Sequence, residues 1–166
     1  MNPFRWSFRA QYALGVAICA ALYGYALYVQ FQLGIEPCPL CIFQRVALIG
    51  VAVFFFFGAL HGPKVWGRKV YGVLVALAGF AGAGIAARHI WLQHLPKGQV
   101  PDCGPGLAYM LDAFPLSKTV KMVFTGSGEC AEVNWTFLGL SMPVWTLICF
   151  VGLAIAALWS AWRRNA

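Results

Sequence analysis

Four stretches of this sequence are each long and apolar enough to cross a lipid bilayer, and that feature removes most folds open to a chain of 166 residues. Crossing the hydrocarbon core takes about 20 helical residues at about 1.5 Å each. The stretches run from about Gln11 to Phe31, Cys41 to Leu60, Val70 to Trp91 and Pro143 to Trp162. The third is rich in small residues, including Gly72, Gly79, Gly82 and Gly84. Such residues let backbones approach closely where lipid removes the hydrophobic incentive to pack. The expectation is an all-α membrane protein, a single four-transmembrane-helix bundle over residues 1–166 with no separate soluble domain. Composition agrees: 61% of residues are hydrophobic and 10% charged, whereas apolar residues make up about half of an average soluble chain. Arg5 and Arg9 precede the first stretch as in a signal peptide. The run is nevertheless too long for a cleavable core and ends without a small-residue cleavage site, so a retained span is expected.

The net charge of +7 is a topology signal and not a nucleic-acid one, because a basic patch needs a soluble face to sit on. The N-terminal tail, the 61–69 link and the C-terminal tail carry Arg5, Arg9, Lys64, Arg68, Lys69, Arg163 and Arg164 and no acid. All five acids (Glu36, Asp102, Asp112, Glu129 and Glu132) fall on or near the opposite side. Basic flanks stay cytoplasmic, so both termini are expected inside and the 32–40 link and the long 93–142 loop outside. Within that loop, Leu116 to Thr125 reads as a short amphipathic helix, with Val120, Val123 and Phe124 on one face, Pro115 before it and Gly126 after it. It lies on the membrane surface or packs on the bundle, and the pattern alone leaves both open.

Topology sorts the six cysteines. Cys19 and Cys149 fall inside spans one and four, where a thiol acts as a small apolar side chain. Cys38, Cys41, Cys103 and Cys130 all fall on the outward, oxidising side, where thiols pair. Cys38-Pro-Leu-Cys41 is a CxxC. Zinc would need further ligands nearby, and Cys103 and Cys130 do not form a second CxxC, so no metal is expected. Two structural disulfides are the competing reading. However, closing a two-residue gap constrains the unfolded chain little, and a CxxC is more useful as a bond that opens and closes.

Cys41 falls in the first turn of the second span, where exposed N–H groups favour an anion. Arg45 is four residues on, one turn deeper on the same face. A guanidinium there favours the thiolate, and a charge inside a span costs on the order of 3 kcal/mol, which marks it as functional. Arg88 and His89 sit at the same depth on the third span, where His89 is a packing residue or a ligand to a polar head group. A bond between Cys103 and Cys130 would close a large loop, mobile enough to swing towards Cys38 for thiolate exchange.

At these residues the sequence resembles the DsbB (disulfide bond formation protein B) family of bacterial inner membranes. The resemblance covers nearly the whole chain. It rests on Cys38-Pro-Leu-Cys-Ile-Phe-Gln-Arg45, His89-Ile-Trp-Leu-Gln, Gly128-Glu-Cys130-Ala-Glu and Trp135-Thr-Phe-Leu-Gly-Leu-Ser-Met-Pro-Val-Trp145, in this order. Gln44 stands where some members carry an acid. The resemblance implies a thiol oxidase that reoxidises a periplasmic thioredoxin-fold partner of the DsbA type. It implies a Cys103–Cys130 disulfide attacked at Cys103, with the released Cys130 resolved at Cys38. Cys41, left as a thiolate, then donates electrons to ubiquinone or menaquinone from the respiratory pool. Arg45 and His89 match positions near the quinone head group. Vitamin K epoxide reductase-like proteins also place a CxxC at a span end, but the order of segments here is that of DsbB.

Overall fold

The computed structural model describes residues 7–96, 99, 107–126, 128–133 and 135–163. Its long helices are α1 (Phe8–Gln32), α2 (Pro39–His61), α3 (Val65–Gln93) and α7 (Met142–Trp162), each long and apolar enough to cross a membrane. The chain is an all-α four-helix membrane protein. Each helix overruns its apolar stretch because local chemistry, and not hydropathy, sets its ends. The Ser7 hydroxyl accepts a bond from the Ala10 N–H at 3.3 Å and starts α1 early. Pro39 occupies the first turn of α2, where its missing N–H costs nothing. Gly62 ends α2 in the left-handed region at φ +52°, its N–H bonded to the Gly58 carbonyl. Pro63 and Lys64 follow, and α3 begins at Val65.

α3 is the central helix, packed against α7 on one side and α2 on the other, while α1 packs on α2. Tyr12, Val51, Phe55, Val75 and Phe150 fill the main core and are almost fully buried. The glycines of α3 act as their spacing predicts, with one exception. A Cβ on Gly72 would meet Ala161 at 2.5 Å and the Ala157 carbonyl at 3.3 Å, and one on Gly82 would meet the Phe150 ring, whereas Gly84 faces open space. Large apolar side chains such as Phe56, Leu60, Leu77 and Ile155 point outward, as lipid-facing positions do.

At one end of the bundle the start of α1 meets the α2–α3 turn. The Arg9 Nε donates to the Ala59 carbonyl at 3.0 Å, and the Arg68 guanidinium lies over the Phe8 ring. At the other end three short helices, α4 (Leu107–Ala113), α5 (Leu116–Thr125) and α6 (Gly128–Ala131), close over the spans. Two-residue strands β1 (Thr136–Phe137) and β2 (Leu140–Ser141) follow, with Thr136 opposite Ser141 and Phe137 opposite Leu140. The connecting residues Leu138 and Gly139 both have positive φ, as a tight primed hairpin turn requires. Trp145 Nε1 donates to the Phe137 carbonyl at 3.0 Å, which ties the hairpin to the first turn of α7.

The loop shares a core with the bundle: Met110, Val123 and Cys130 pack with Cys38, Leu40 and Leu92. α5 occupies the residues the sequence indicates, and its buried side keeps Val123 of the apolar face but adds Thr119 and leaves Phe124 out. Thr119 and Val123 are buried while Phe124 is 40% exposed. The polar Thr119 can turn inward because its hydroxyl donates to the Met110 carbonyl at 2.9 Å, satisfying a group that would otherwise be costly to bury. Arg88 holds the far end of α5. Its Nε donates to the Phe124 carbonyl at 3.0 Å and its Nη2 to the Thr125 carbonyl at 3.1 Å, filling acceptors left open at a helix C-terminus. Arg88→Ala is expected to raise hydrogen exchange of the 116–125 amides by about tenfold while leaving exchange in the spans unchanged.

Candidate active site

Cys38 caps the N-terminus of α2 and Cys41 lies in its first turn, so the two sulfurs emerge side by side. Cys38 Sγ donates to Cys41 Sγ across 3.2 Å, a separation from which small side-chain rotations close a bond. α3 inserts His89 between them and the bundle. Its Nε2 is 3.8 Å from Cys38 Sγ and its Nδ1 is 4.0 Å from Cys41 Sγ. Gln44, buried one turn below Cys41, approaches the same Nδ1 at 3.3 Å. α6 delivers the third sulfur: Cys130 Sγ, Cys38 Sγ and a His89 ring nitrogen all lie within 4.8 Å of one another. Cys130 is 1% exposed and His89 3%, so this cluster is shielded from bulk water. Cys103 and its neighbour Asp102 lie outside the described residues.

Arg45 points the other way, towards α1. Its Nη1 donates to Gln30 Oε1 and its Nη2 to the Ala26 carbonyl at 3.0 Å. The guanidinium is thus held by protein acceptors. It lines a cavity of about 480 Å³ bordered by residues of α1, α2, α7 and the 135–137 segment, within the volume range of small-molecule sites. Cys41, Gln44, Arg45 and Glu36 supply its polar groups, and Tyr25, Trp135, Phe137 and Trp145 supply aromatic walls. A second pocket of about 60 Å³ adjoins the cavity, sharing Cys41 and Glu36 and adding Cys38, His89, Glu129 and Glu132.

Of the residues singled out from sequence, the structure brings Cys38, Cys41, Cys130 and His89 into one cluster and sets Arg45 on the cavity. His89 lines the small thiol-side pocket and not the cavity. Sequence reasoning gave no role to Gln30, and it treated Cys149, which lines the cavity, as packing. Gln30 is a polar residue near the end of an apolar stretch, a weak signal because Gln32 stands beside it.

Residues 8–160 match the family described as disulfide bond formation protein DsbB. The chain is 54% identical over 164 residues to disulfide bond formation protein B of Xanthomonas axonopodis pv. citri, covering 98% of this chain and 95% of that protein. It is 52% identical over 161 residues to the protein of that name from Nitrosococcus oceani, covering 97% and 95%. To the one from Methylococcus capsulatus it is 51% identical over 159 residues, covering 96% and 97%. A four-helix membrane bundle, a CxxC at the start of its second span and agreement along almost the whole chain converge on one conclusion: the chain belongs to the DsbB family.

Proposed function

We propose that the chain is a membrane thiol:quinone oxidoreductase that reoxidises a DsbA-like, thioredoxin-fold dithiol partner. The observation that carries this reading is the position of Cys41, one thiol facing both the buried sulfur cluster and the large aromatic-walled cavity. The cavity suits a quinone on chemical grounds. Its lining offers a guanidinium, a carboxamide and a thiol for a polar ring, with Glu36 and Thr146 besides, and the rest is mainly apolar and aromatic, suited to a prenyl tail. Arg45, Gln44 and Cys41 would hold the head group. When bound, the quinone accepts two electrons and two protons.

The chain's own residues do the rest. The partner thiolate attacks Cys103 of a Cys103–Cys130 disulfide, forming a mixed disulfide and releasing Cys130 as thiolate. Cys130 attacks Cys38 of the Cys38–Cys41 bond, and Cys41 departs as thiolate on the cavity side. The partner's second thiol then closes its own disulfide and frees Cys103. Cys103 attacks Cys130, which restores the loop bond and frees Cys38. Two electrons leave the partner and two reside on the CxxC pair. Basic flanks at the opposite end support a bacterial inner-membrane location with both termini cytoplasmic and the sulfur cluster periplasmic. α5, with Leu116 and Phe124 exposed, would rest on the outer membrane surface.

In detergent, a reduced thioredoxin-fold dithiol protein and excess ubiquinone or menaquinone are mixed with the chain, and quinone absorbance is followed. Steady loss of the quinone matched by partner oxidation is the expected result. No loss with a competent donor, while the outward cysteines stay bonded, would overturn the reading in favour of structural disulfides. Arg45→Met is expected to raise the KM for quinone by about tenfold or more, as loss of a charge-assisted hydrogen bond does. Its effect on the KM for the dithiol partner should be small.

A further inference from the structure

Spacing in the sequence offers no zinc motif, yet the fold assembles a donor set that spacing cannot reveal. Cys38, His89 and Cys130 come from the cap of α2, from α3 and from α6. They are buried, with their ligand atoms within 4.8 Å of one another. Around a tetrahedral zinc ion with Zn–S of about 2.3 Å, neighbouring ligand atoms stand about 3.5–3.8 Å apart. Cys38 Sγ and His89 Nε2 are already 3.8 Å apart. We propose that the reduced chain binds one Zn²⁺ ion through Cys38, Cys130 and His89 Nε2, and that this ion blocks sulfur exchange until it is removed.

Charge balance favours this trio. Two thiolates and a neutral imidazole cancel the charge of a divalent ion, so the buried complex avoids the penalty of an isolated charge. On binding, two Zn–S bonds and one Zn–N bond form, two thiol protons pass to solvent and no electron moves. The fourth position is left to water. Gln44 Nε2 stands 3.3 Å from the opposite ring nitrogen, and turning that amide to present Oε1 would let it accept from Nδ1–H, the outer-shell contact that orients a ligating histidine. Cys41 lies on that opposite side of the ring, nearest Nδ1, and is not a ligand. The site therefore differs from a chelate made by the CxxC alone. With zinc bound, neither Cys38 nor Cys130 has a sulfur able to attack, so a metal that reaches the reduced state arrests the cycle. In the disulfide states the sulfurs are consumed and the site is absent.

The inference rests on the redox reading only in needing these cysteines reduced, and the measurement uses neither quinone nor partner. The fully reduced chain in detergent is titrated with Co²⁺ as a spectroscopic probe, then with Zn²⁺. Thiolate-to-cobalt absorption saturating at one ion per chain, displaced by Zn²⁺ and lacking in the same chain after oxidation, is the expected outcome. Cys130→Ser and His89→Ala should weaken binding at least about a hundredfold, more than typical loss of an outer-shell partner, and Cys130→His should restore it. Cys41→Ser should leave affinity within about threefold, well below such an outer-shell loss. The proposal is overturned if the reduced chain gives no cobalt absorption. It is equally overturned if binding survives Cys130→Ser and vanishes in Cys41→Ser. In either case the oxidase reading stands or falls separately, on quinone loss.

Discussion

Replacing Cys41 by serine is expected to cut steady-state quinone reduction by more than about a thousandfold, the scale seen when a covalent nucleophile is removed. The residual chemistry should show where the relay stops. Without Cys41 there is no CxxC disulfide for Cys130 to attack, so each chain can oxidise one partner dithiol at its loop bond and then halts. Cys103→Ser should fail at the other end. It oxidises no partner, but after reduction by a small dithiol and its removal it still transfers one pair of electrons from the CxxC to quinone. Quench-flow alkylation of the partner together with quinone absorbance measures both stoichiometries. The same single-turnover stoichiometry in the two variants, or sustained turnover in either, would be incompatible with two cysteine pairs acting in series.

Gly72→Leu should produce the largest loss of stability among the glycine positions of α3. The added Cβ alone would fall 2.5 Å from the Ala161 methyl, and the Ala157 carbonyl, which is backbone, stands 3.3 Å away. Relief requires α3 and α7 to separate along the interface that holds the bundle together. Overpacking of this kind costs about 3 kcal/mol, which corresponds to a fall in Tm of about 10 °C for a chain of this length. Gly84→Leu is the matched control, since nothing lies within 4 Å of its Cβ position. Thermal unfolding in detergent should separate the two variants clearly. Equal melting temperatures would mean that α3 and α7 are not in close contact at Gly72.

Hydropathy is a local property, and the parts of the fold it governs were legible. The four spans, the shared end of their basic flanks and the α5 segment follow from runs of residues along the sequence. The placement of Cys38, Cys41 and Arg45 in the first turns of α2 was legible for the same reason, because four residues on a helix define a face. Contacts between distant segments were not. His89 is 51 residues from Cys38, and Arg88 is 36 from Phe124. No local pattern places His89 among the thiols, or puts Arg88 at the end of α5. α5 itself shows the limit well. Its apolar pattern put Val120, Val123 and Phe124 on one face, and of these Val123 is buried and Phe124 exposed, while a single hydroxyl partner, the Met110 carbonyl, let Thr119 turn inward beside Val123. The hairpin at 136–141 was hidden for a different reason: Leu138 adopts positive φ, a conformation leucine rarely takes and propensity does not anticipate.

The two pockets that meet at Cys41 impose an order of events. A sulfur that is bonded to Cys38 cannot at the same moment hand electrons across the cavity, so on the proposed relay the two client reactions would alternate and not overlap. Initial-velocity plots against one client at several levels of the other should give parallel lines. A saturating dose of either client should not exclude the other from its own side. On the proposed reading the arrangement would also work as insulation, an oxidising lipid-soluble molecule and a water-borne protein trading electrons through the Cys41 sulfur without meeting.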